Sequence, residues 1–183
     1  MGTGGQISLL IKNYVQVDGI ETRPFINNQY LLVGASLCGG RAYAILERFF
    51  REYVKEATGI EVSQYEVMER LANKCGSNSL NVHTTFNGTR INPNQTGSIL
   101  NITEENLLPE FMINGFMVGM IEEIFDMYQK IKNQDISYLM ASGNGLRKNK
   151  TLQKICEEKF QLPLKLANEI EEAACGAAMS VEY

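Results

Sequence analysis

The stretch Ser142-Gly-Asn-Gly-Leu-Arg-Lys-Asn149 separates a short apolar run at 136–141 from a segment with helical character at 150–160. A strand that ends in glycines and passes into a helix presents backbone N–H groups with no side chain in the way. Such a turn can hold a phosphate or lie flat against a nucleotide. Two further glycine clusters, Gly2-Thr-Gly-Gly5 and Gly39-Gly40, adjoin other predicted elements. We interpret the three glycine turns together as the sides of a nucleotide site.

The hydrophobic pattern predicts an alternation of strands and helices around this turn. The predicted elements, in chain order, are strands at 6–11, 21–25 and 30–36, a helix from 41 to 58, a second helix opened by a Ser63/Glu66 capping box, an extended segment at 80–86, a long helix from Thr103 to about 132, a strand at 136–141, a helix at 150–160, a strand at 162–166 and a last helix from about 168. Three strands followed by helices and two strand–helix pairs predict an α/β fold, a mixed sheet flanked by helices.

Two glycines on the long predicted helix, Gly115 and Gly119, lie four residues apart and therefore on one face. We interpret them as the contact at which this helix packs closely on a neighbouring element, because the segment is too polar for a pair of membrane helices.

Composition limits the classes of function. The 183 residues fit one domain, and 44% hydrophobic with 21% charged residues is typical of a globular protein. The net charge of −4, with scattered Lys and Arg, argues against nucleic-acid binding. No run approaches the length of a membrane span, so we expect no membrane partner and a cytoplasmic location.

The cysteines and the single histidine give no sign of a metal centre. Four cysteines without metal-ligand spacing and one histidine, His83, make a zinc site improbable, and we expect reduced thiols. The turn at 142–149 is not a dinucleotide fingerprint, because Lys148 occupies the third glycine position, and the chain has no P-loop sequence.

Five stretches in order resemble the FGGY carbohydrate kinases, a family with the ribonuclease-H-like fold of the actin-like ATPases. They are Met1-Gly-Thr-Gly-Gly-Gln-Ile-Ser8, Gly34-Ala-Ser-Leu-Cys-Gly-Gly40, Phe86-Asn-Gly-Thr-Arg-Ile-Asn-Pro93 through Gly97-Ser-Ile-Leu-Asn-Ile102, Leu139-Met-Ala-Ser-Gly-Asn-Gly-Leu-Arg-Lys-Asn149 and Glu171-Glu-Ala-Ala-Cys-Gly-Ala-Ala178. The second and third stretches look most like the sedoheptulokinase branch. The first, fourth and fifth resemble the second phosphate motif, the adenosine motif and the closing glycine–alanine helix of the family.

This resemblance implies a single domain, 1–183, equivalent to the C-terminal, ATP-binding half of such a kinase. The N-terminal domain, with most sugar contacts and the catalytic aspartate, would be absent. The implied ligands are ATP with Mg²⁺ and a sugar, most simply sedoheptulose, with xylulose or glycerol as alternatives. A stand-alone nucleotide-binding or interaction module without catalysis is the alternative of a different class. The isolated chain is expected to be inactive and to bind ATP weakly at most, and its uncovered inter-domain face predicts a homo-oligomer.

By the same resemblance, we expect ATP-binding residues but no catalytic residue and no metal ligand on this chain. The expected ATP-binding residues are Thr3, Gly4, Gly40, Gly145 and Asn149. Thr3 and Gly4 would face the β- and γ-phosphates, Gly40 would lie beside the phosphate tail at a helix N-terminus, and Gly145 would approach the adenine or ribose. Arg147 and Lys148 depart from the common family pattern and stay outside this assignment.

Several polar residues have simpler explanations than catalysis. His83 is expected to be an interior or rim residue, and Glu122, Glu123 and Asp126 a solvated helix face. Arg90 lies in a long loop of turn-forming residues at 87–97, and it either reaches a sugar phosphate or the other domain, or anchors the loop through an ion pair.

Overall fold

The computed structural model describes residues 4–76, 80–133 and 136–168. The elements in chain order are β1 Gly5–Ile11, β2 Glu21–Phe25, β3 Gln29–Ser36, α1 Gly39–Thr58, α2 Tyr65–Ala72, β4 Asn81–His83, β5 Ser98–Leu100, α3 Pro109–Ile131, β6 Leu139–Ala141, α4 Asn144–Lys148, α5 Lys150–Phe160 and β7 Leu164–Leu166. The predicted last helix from about 168, and the closing motif at 171–178, lie outside the described residues.

The first three strands form an antiparallel sheet in the order β1-β3-β2. Strands β2 and β3 form a tight hairpin, in which Asn27 and Asn28 have positive φ angles of 56° and 54° and the Gln29 N–H donates to the Ile26 carbonyl. Two successive residues in this conformation match the right-handed twist of the flanking strands. In β1 the side chains alternate between half-buried and exposed, as expected for a strand with one face on the core.

The other strands form two small sheets. Strands β4 and β5 pair antiparallel, and β6 pairs parallel to β7 through the connection that contains α4 and α5. The predicted combination of antiparallel and parallel strands is therefore present. Among the described residues, however, the strands do not join into one continuous sheet.

Helix α3 is the centre of the hydrophobic core. Ile113, Met117, Met120 and Ile121 on this helix are at most 2% exposed. A Cβ on Gly119 would lie 2.0 Å from the Val82 carbonyl oxygen of β4. Helix α3 lies so close to β4 that a residue with a Cβ does not fit at position 119. The predicted packing role of Gly119 is therefore confirmed.

The predicted start of the long helix at Thr103 is wrong, since α3 begins at Pro109. Asn106 is buried, and its side chain accepts a hydrogen bond from the Thr103 N–H (2.8 Å) and donates one to the Asn101 carbonyl (2.9 Å). These bonds hold residues 101–106 in a local turn that competes with helix formation. Proline suits the first turn of a helix because its fixed φ is already helical and no N–H is needed there.

The predicted capping box is also wrong. Helix α2 begins at Tyr65 and has no side-chain cap. Instead the backbone N–H of Gln64 donates to the buried carboxylate of Glu47 on α1, at 3.1 Å. The Glu47 carboxylate, which is distant from α2 in the sequence, thus takes the place of the predicted Ser63/Glu66 cap. The extended segment at 80–86 is shorter than predicted, and its partner β5 was not predicted.

Candidate functional site

One cavity of about 560 Å³ lies between the N-terminal part of α1, helix α2 and the turn that precedes α5. It brings together three of the residues assigned from the sequence, Gly40, Gly145 and Asn149. Gly40 is far from the other two in the sequence, so this proximity is produced by the fold.

Gly4 does not line this cavity, but it lies against the helix that does. A Cβ on Gly39, the first residue of α1, would be 2.5 Å from the Gly4 carbonyl carbon and 2.2 Å from the Gly5 nitrogen. The backbone entering β1 therefore packs directly on the first turn of α1. Thr3 lies outside the described residues.

The N-terminus of α1 is suited to an anion. Helix α1 has 20 residues, its N-cap residue Cys38 makes no side-chain capping hydrogen bond, and its first turn carries no acidic side chain. Unpaired N–H groups and the positive end of the helix dipole meet there, and Arg41 adds a positive charge in the same turn. Because Gly40 has no side chain, a ligand can approach this backbone closely.

The turn at 142–149 contains a short helix instead of the simple turn predicted. Gly143 has φ 86° and ψ 152°, a conformation that residues with a side chain rarely adopt, and α4 follows it. Asn149 ends α4 and caps α5, because its Oδ1 accepts a hydrogen bond from the Leu152 N–H at 2.9 Å. The Asn149 side chain thus fixes the turn in addition to lining the cavity.

Two tyrosines that the sequence suggested only as helix residues also line the cavity. The rings of Tyr43 and Tyr65 stack with centroids 5.9 Å apart and planes 26° apart. Burial, and secondly the nearby Glu69 carboxylate, raise the pKa of Tyr43 to about 12, so its hydroxyl stays protonated at neutral pH. The Tyr43 hydroxyl is buried and makes no hydrogen bond of good geometry with any described residue. The nearby Asn149 side chain nevertheless lowers the pKa of Tyr43 and so partly offsets the effect of burial.

Charged side chains of both signs surround the same cavity. Arg41 and Lys148 supply positive charge, and Glu66 and Glu69 supply negative charge. Lys148 stays outside the sequence-based assignment, because it departs from the family pattern and the sequence does not decide whether it reaches a phosphate or lies in solvent. The positive charge of Lys148 close to glycines that could bind an anion was nonetheless a feature of the sequence from which this residue could have been assigned to the site.

Metal ligands are not gathered at this site. Within the described ranges, no group of three or more His, Cys, Asp or Glu side chains is placed to hold a metal ion.

The predicted solvated face on α3 is wrong for Glu123. Its carboxylate is half-buried and accepts a hydrogen bond from the Ser36 hydroxyl at the end of β3, at 2.8 Å. Burial raises the pKa of Glu123, and the Ser36 hydrogen bond opposes that rise. The Ser36 hydroxyl also accepts a hydrogen bond from the Cys38 N–H at 3.2 Å. Through Ser36, the Glu123 carboxylate therefore helps to fix the residues that connect β3 to α1.

The other open assignments have plain structural outcomes. Arg90 forms an ion pair with Glu21 of β2, which supports the loop-anchoring alternative. His83 is exposed on β4. Glu122 pairs with Lys159 of α5 at 2.9 Å.

In the part of the chain that the structure describes, no helix has the length and apolar character needed to cross a bilayer.

Comparisons with known proteins agree with the resemblance seen in the sequence. No family model matches the chain. Human sedoheptulokinase is 27% identical over 161 residues, which cover 85% of this chain and 33% of the relative. Xylulose kinase from Bifidobacterium adolescentis superposes with a TM-score of 0.75 at 19% identity, covering 97% of this chain and 34% of that one. Gluconate kinase from Lactobacillus acidophilus gives 0.77 at 21% identity, covering 93% and 34%.

These similarities confirm that the chain resembles the FGGY sugar kinases and that its fold is that of the actin-like ATPases. The chain spans about a third of the length of the relatives it matches.

Proposed function

We propose that this chain is the C-terminal, ATP-binding domain of a carbohydrate kinase that transfers the γ-phosphoryl group of ATP to a sugar hydroxyl. The observation that carries the proposal is the convergence of Gly40, Gly145 and Asn149 on one cavity at the N-terminus of α1. Bare backbone at a helix N-terminus is a common way to bind phosphate. The similarity to human sedoheptulokinase supports sedoheptulose as the sugar.

The cavity offers different chemistry to the two ends of a nucleotide. We propose that the triphosphate lies along the first turn of α1, near Gly4, with Arg41 and Lys148 balancing its charge. The nucleoside would lie against Gly145 and Tyr43, where Glu69 can accept hydrogen bonds from an amino group. Magnesium would be bound by the phosphates and enter with ATP as part of the substrate.

The rest of the catalytic machinery belongs, in this proposal, to a second domain that the 183 residues do not contain. The chain spans about a third of the length of its relatives. Two carboxylates line the 560 Å³ cavity, Glu66 and Glu69, and in this proposal neither acts as the catalytic base. Phosphoryl transfer depends on positioning and charge stabilisation across a closed site. We therefore expect no sugar phosphorylation by this chain alone, and we propose that the complete kinase acts in the cytoplasm on the cellular pool of ATP.

Calorimetry with MgATP tests the proposal directly on the 183-residue chain. We expect weak but saturable binding, and we expect Lys148→Ala to weaken it about fivefold, or about 1 kcal/mol, because one exposed cation near the phosphates is lost. Lys150→Ala is the matched control, since Lys150 is an exposed lysine two residues away that does not line the cavity. Absence of saturable binding, or equal losses in the two variants, would contradict the site.

A further inference from the structure

One hydroxyl group at the 560 Å³ cavity is buried and has no hydrogen-bond partner within residues 4–76, 80–133 and 136–168. It belongs to Tyr43, near the N-terminal end of α1. Burying a polar group without a hydrogen bond destabilises a protein, so native proteins rarely retain such a group without a reason. Because Tyr43 lines a cavity, a ligand bound there can supply the missing partner.

The partner that the Tyr43 hydroxyl lacks is an acceptor. Burial raises the pKa of Tyr43 to about 12, so the hydroxyl keeps its proton at neutral pH. The neighbouring Asn149 side chain lowers this pKa, as a group that donates a hydrogen bond to the phenolic oxygen does. The Asn149 Oδ1 already accepts a hydrogen bond from the Leu152 N–H, at 2.9 Å. The proton of the Tyr43 hydroxyl is therefore left for an acceptor on the ligand.

A carboxylate lines the cavity close to this hydroxyl. Glu69 of α2 is half-buried, and after burial its charge is the largest cause of the raised pKa of Tyr43. An ionised carboxylate accepts hydrogen bonds and donates none. The cavity thus presents a fixed donor, the Tyr43 hydroxyl, and a nearby acceptor, the Glu69 carboxylate.

The rest of the cavity suits a flat ring. Met120 of α3 and Leu152 of α5 line it, and these side chains are 2% and 3% exposed. The stacked rings of Tyr43 and Tyr65 add an aromatic surface. A nucleobase can bury its faces against such groups while its polar edge meets the donor and the acceptor.

Adenine carries the pair of groups that complements this donor and acceptor. Its 6-amino group donates hydrogen bonds, and a ring nitrogen next to it accepts one. In guanine and hypoxanthine a carbonyl oxygen replaces the amino group, so two acceptors would face each other at Glu69. A site built to bind an amino group rejects an analogue that lacks it, because a buried polar group of the protein is then left unpaired.

We propose that Tyr43 and Glu69 together select adenine over 6-oxopurines: the Tyr43 hydroxyl donates to a ring nitrogen of the base, and the Glu69 carboxylate accepts from the amino group. The inference rests on the proposed function, which places a nucleotide in this cavity, and it adds the residues that decide which base is bound. Backbone amides at the glycine turns cannot make this choice, because they bind phosphates, which all nucleoside triphosphates share.

The role of Glu69 is tested by comparing MgATP with the magnesium complex of inosine triphosphate, MgITP, in calorimetry on the 183-residue chain. We expect MgATP to bind about tenfold more tightly. Glu69→Gln should reduce this preference to about twofold or less, because a glutamine amide can also donate to the carbonyl oxygen. Glu66→Gln is the matched control, since it removes the same charge from an exposed glutamate that lines the same cavity. It should change both affinities by one factor and leave the preference intact.

The role of Tyr43 is tested by Tyr43→Phe, which keeps the ring and removes the hydroxyl. We expect about fivefold weaker binding of MgATP. The nucleotide-free variant should resist urea at least as well as the unsubstituted chain, because the hydroxyl that is removed has no partner before the nucleotide binds. Tyr53→Phe is the control, since Tyr53 lies on the same helix, is 71% exposed and does not line the cavity, and it should change neither quantity.

Equal affinities for MgATP and MgITP, with Lys148→Ala still weakening both, would overturn the base selection and leave the proposed function in place. An unchanged preference in Glu69→Gln would overturn it as well. So would a loss of stability in nucleotide-free Tyr43→Phe, which would show that the hydroxyl already has a partner. Absence of saturable binding of either nucleotide would contradict this inference and the proposed function together.

Discussion

Asn149 shows how one side chain serves both the fold and the proposed site. Its Oδ1 caps α5, and its side chain also lines the 560 Å³ cavity that we propose binds the nucleotide. The sequence suggested only the ligand role, because a cap and a ligand contact look alike in a glycine-rich turn. The two roles depend on different atoms, since the cap uses the oxygen of the amide and a nucleotide acceptor would use its nitrogen.

Substitutions at Asn149 separate these roles. Asn149→Ala removes the cap and should lower the free energy of unfolding by about 1 kcal/mol. Asn149→Asp keeps a capping oxygen and should retain stability, but its added charge should weaken MgATP binding. Urea unfolding gives the first quantity and calorimetry the second. An aspartate variant as unstable as the alanine variant would contradict the capping role.

Glu123 gives a prediction of how stability depends on pH. Burial raises its pKa in the folded protein, so the folded state favours the neutral carboxyl. This contribution to stability is fully present below the ordinary glutamate pKa of about 4.3, and it is lost as the pH rises through the folded value.

Glu123→Gln keeps an acceptor for Ser36 but does not titrate. Its stability should therefore fall less than that of the unsubstituted protein as the pH rises from about 4 to 7. Thermal unfolding across this range measures the difference. Glu122→Gln is the control, because the neighbouring Glu122 makes only a partly exposed ion pair with Lys159. Parallel pH profiles for Glu123→Gln and the unsubstituted protein would show that the carboxyl has no such role.

At the scale of the element, the packing of α3 on β4 depends on the absence of a side chain at Gly119. In an exposed helix, alanine would be favoured over glycine by about 1 kcal/mol. Here a Cβ would lie 2.0 Å from the Val82 carbonyl oxygen, so the helix or the strand must move. Gly119→Ala should accordingly lower the free energy of unfolding by about 1–3 kcal/mol, as overpacking does. Denaturant unfolding, with exposed Gln129→Ala as the control, should show the loss only at Gly119.

Elements with a strong periodic pattern could be predicted from the sequence, and their ends could not. The helix predicted from 41 to 58 is observed as α1 Gly39–Thr58, ending where Gly59 takes a positive φ of 75°. The predicted start of α2 was wrong because Glu47, a residue of α1 that is 17 positions away, accepts the hydrogen bond from the Gln64 N–H; a contact of this kind is set by tertiary structure, which a local pattern does not contain. The predicted start of α3 was wrong for a local reason, because the Asn106 side chain holds residues 101–106 in a turn that helical spacing alone does not reveal.

At the scale of the whole molecule, the fold class could be predicted because family-like motifs occur in the right order along the chain. The closeness of Gly40 and Gly145 was inferred from that resemblance and is present in the structure. The strands of the described residues form three separate sheets, which the sequence did not predict, because strand pairing depends on which segments are available as partners. Tyr43, Tyr65 and Glu69 were missed as cavity residues because helical spacing alone does not distinguish a core position from a cavity wall.

A titration of the uniformly ¹⁵N-labelled chain with MgATP, followed by backbone amide resonances, tests the central claim most directly. We expect the amides of Gly40 and Gly145 to shift saturably and with one common dissociation constant, because both border the same bound nucleotide. Gly59 and Gly76, which lie outside the cavity, should not shift. Saturable shifts confined to other parts of the chain, or none at Gly40 and Gly145, would contradict the account.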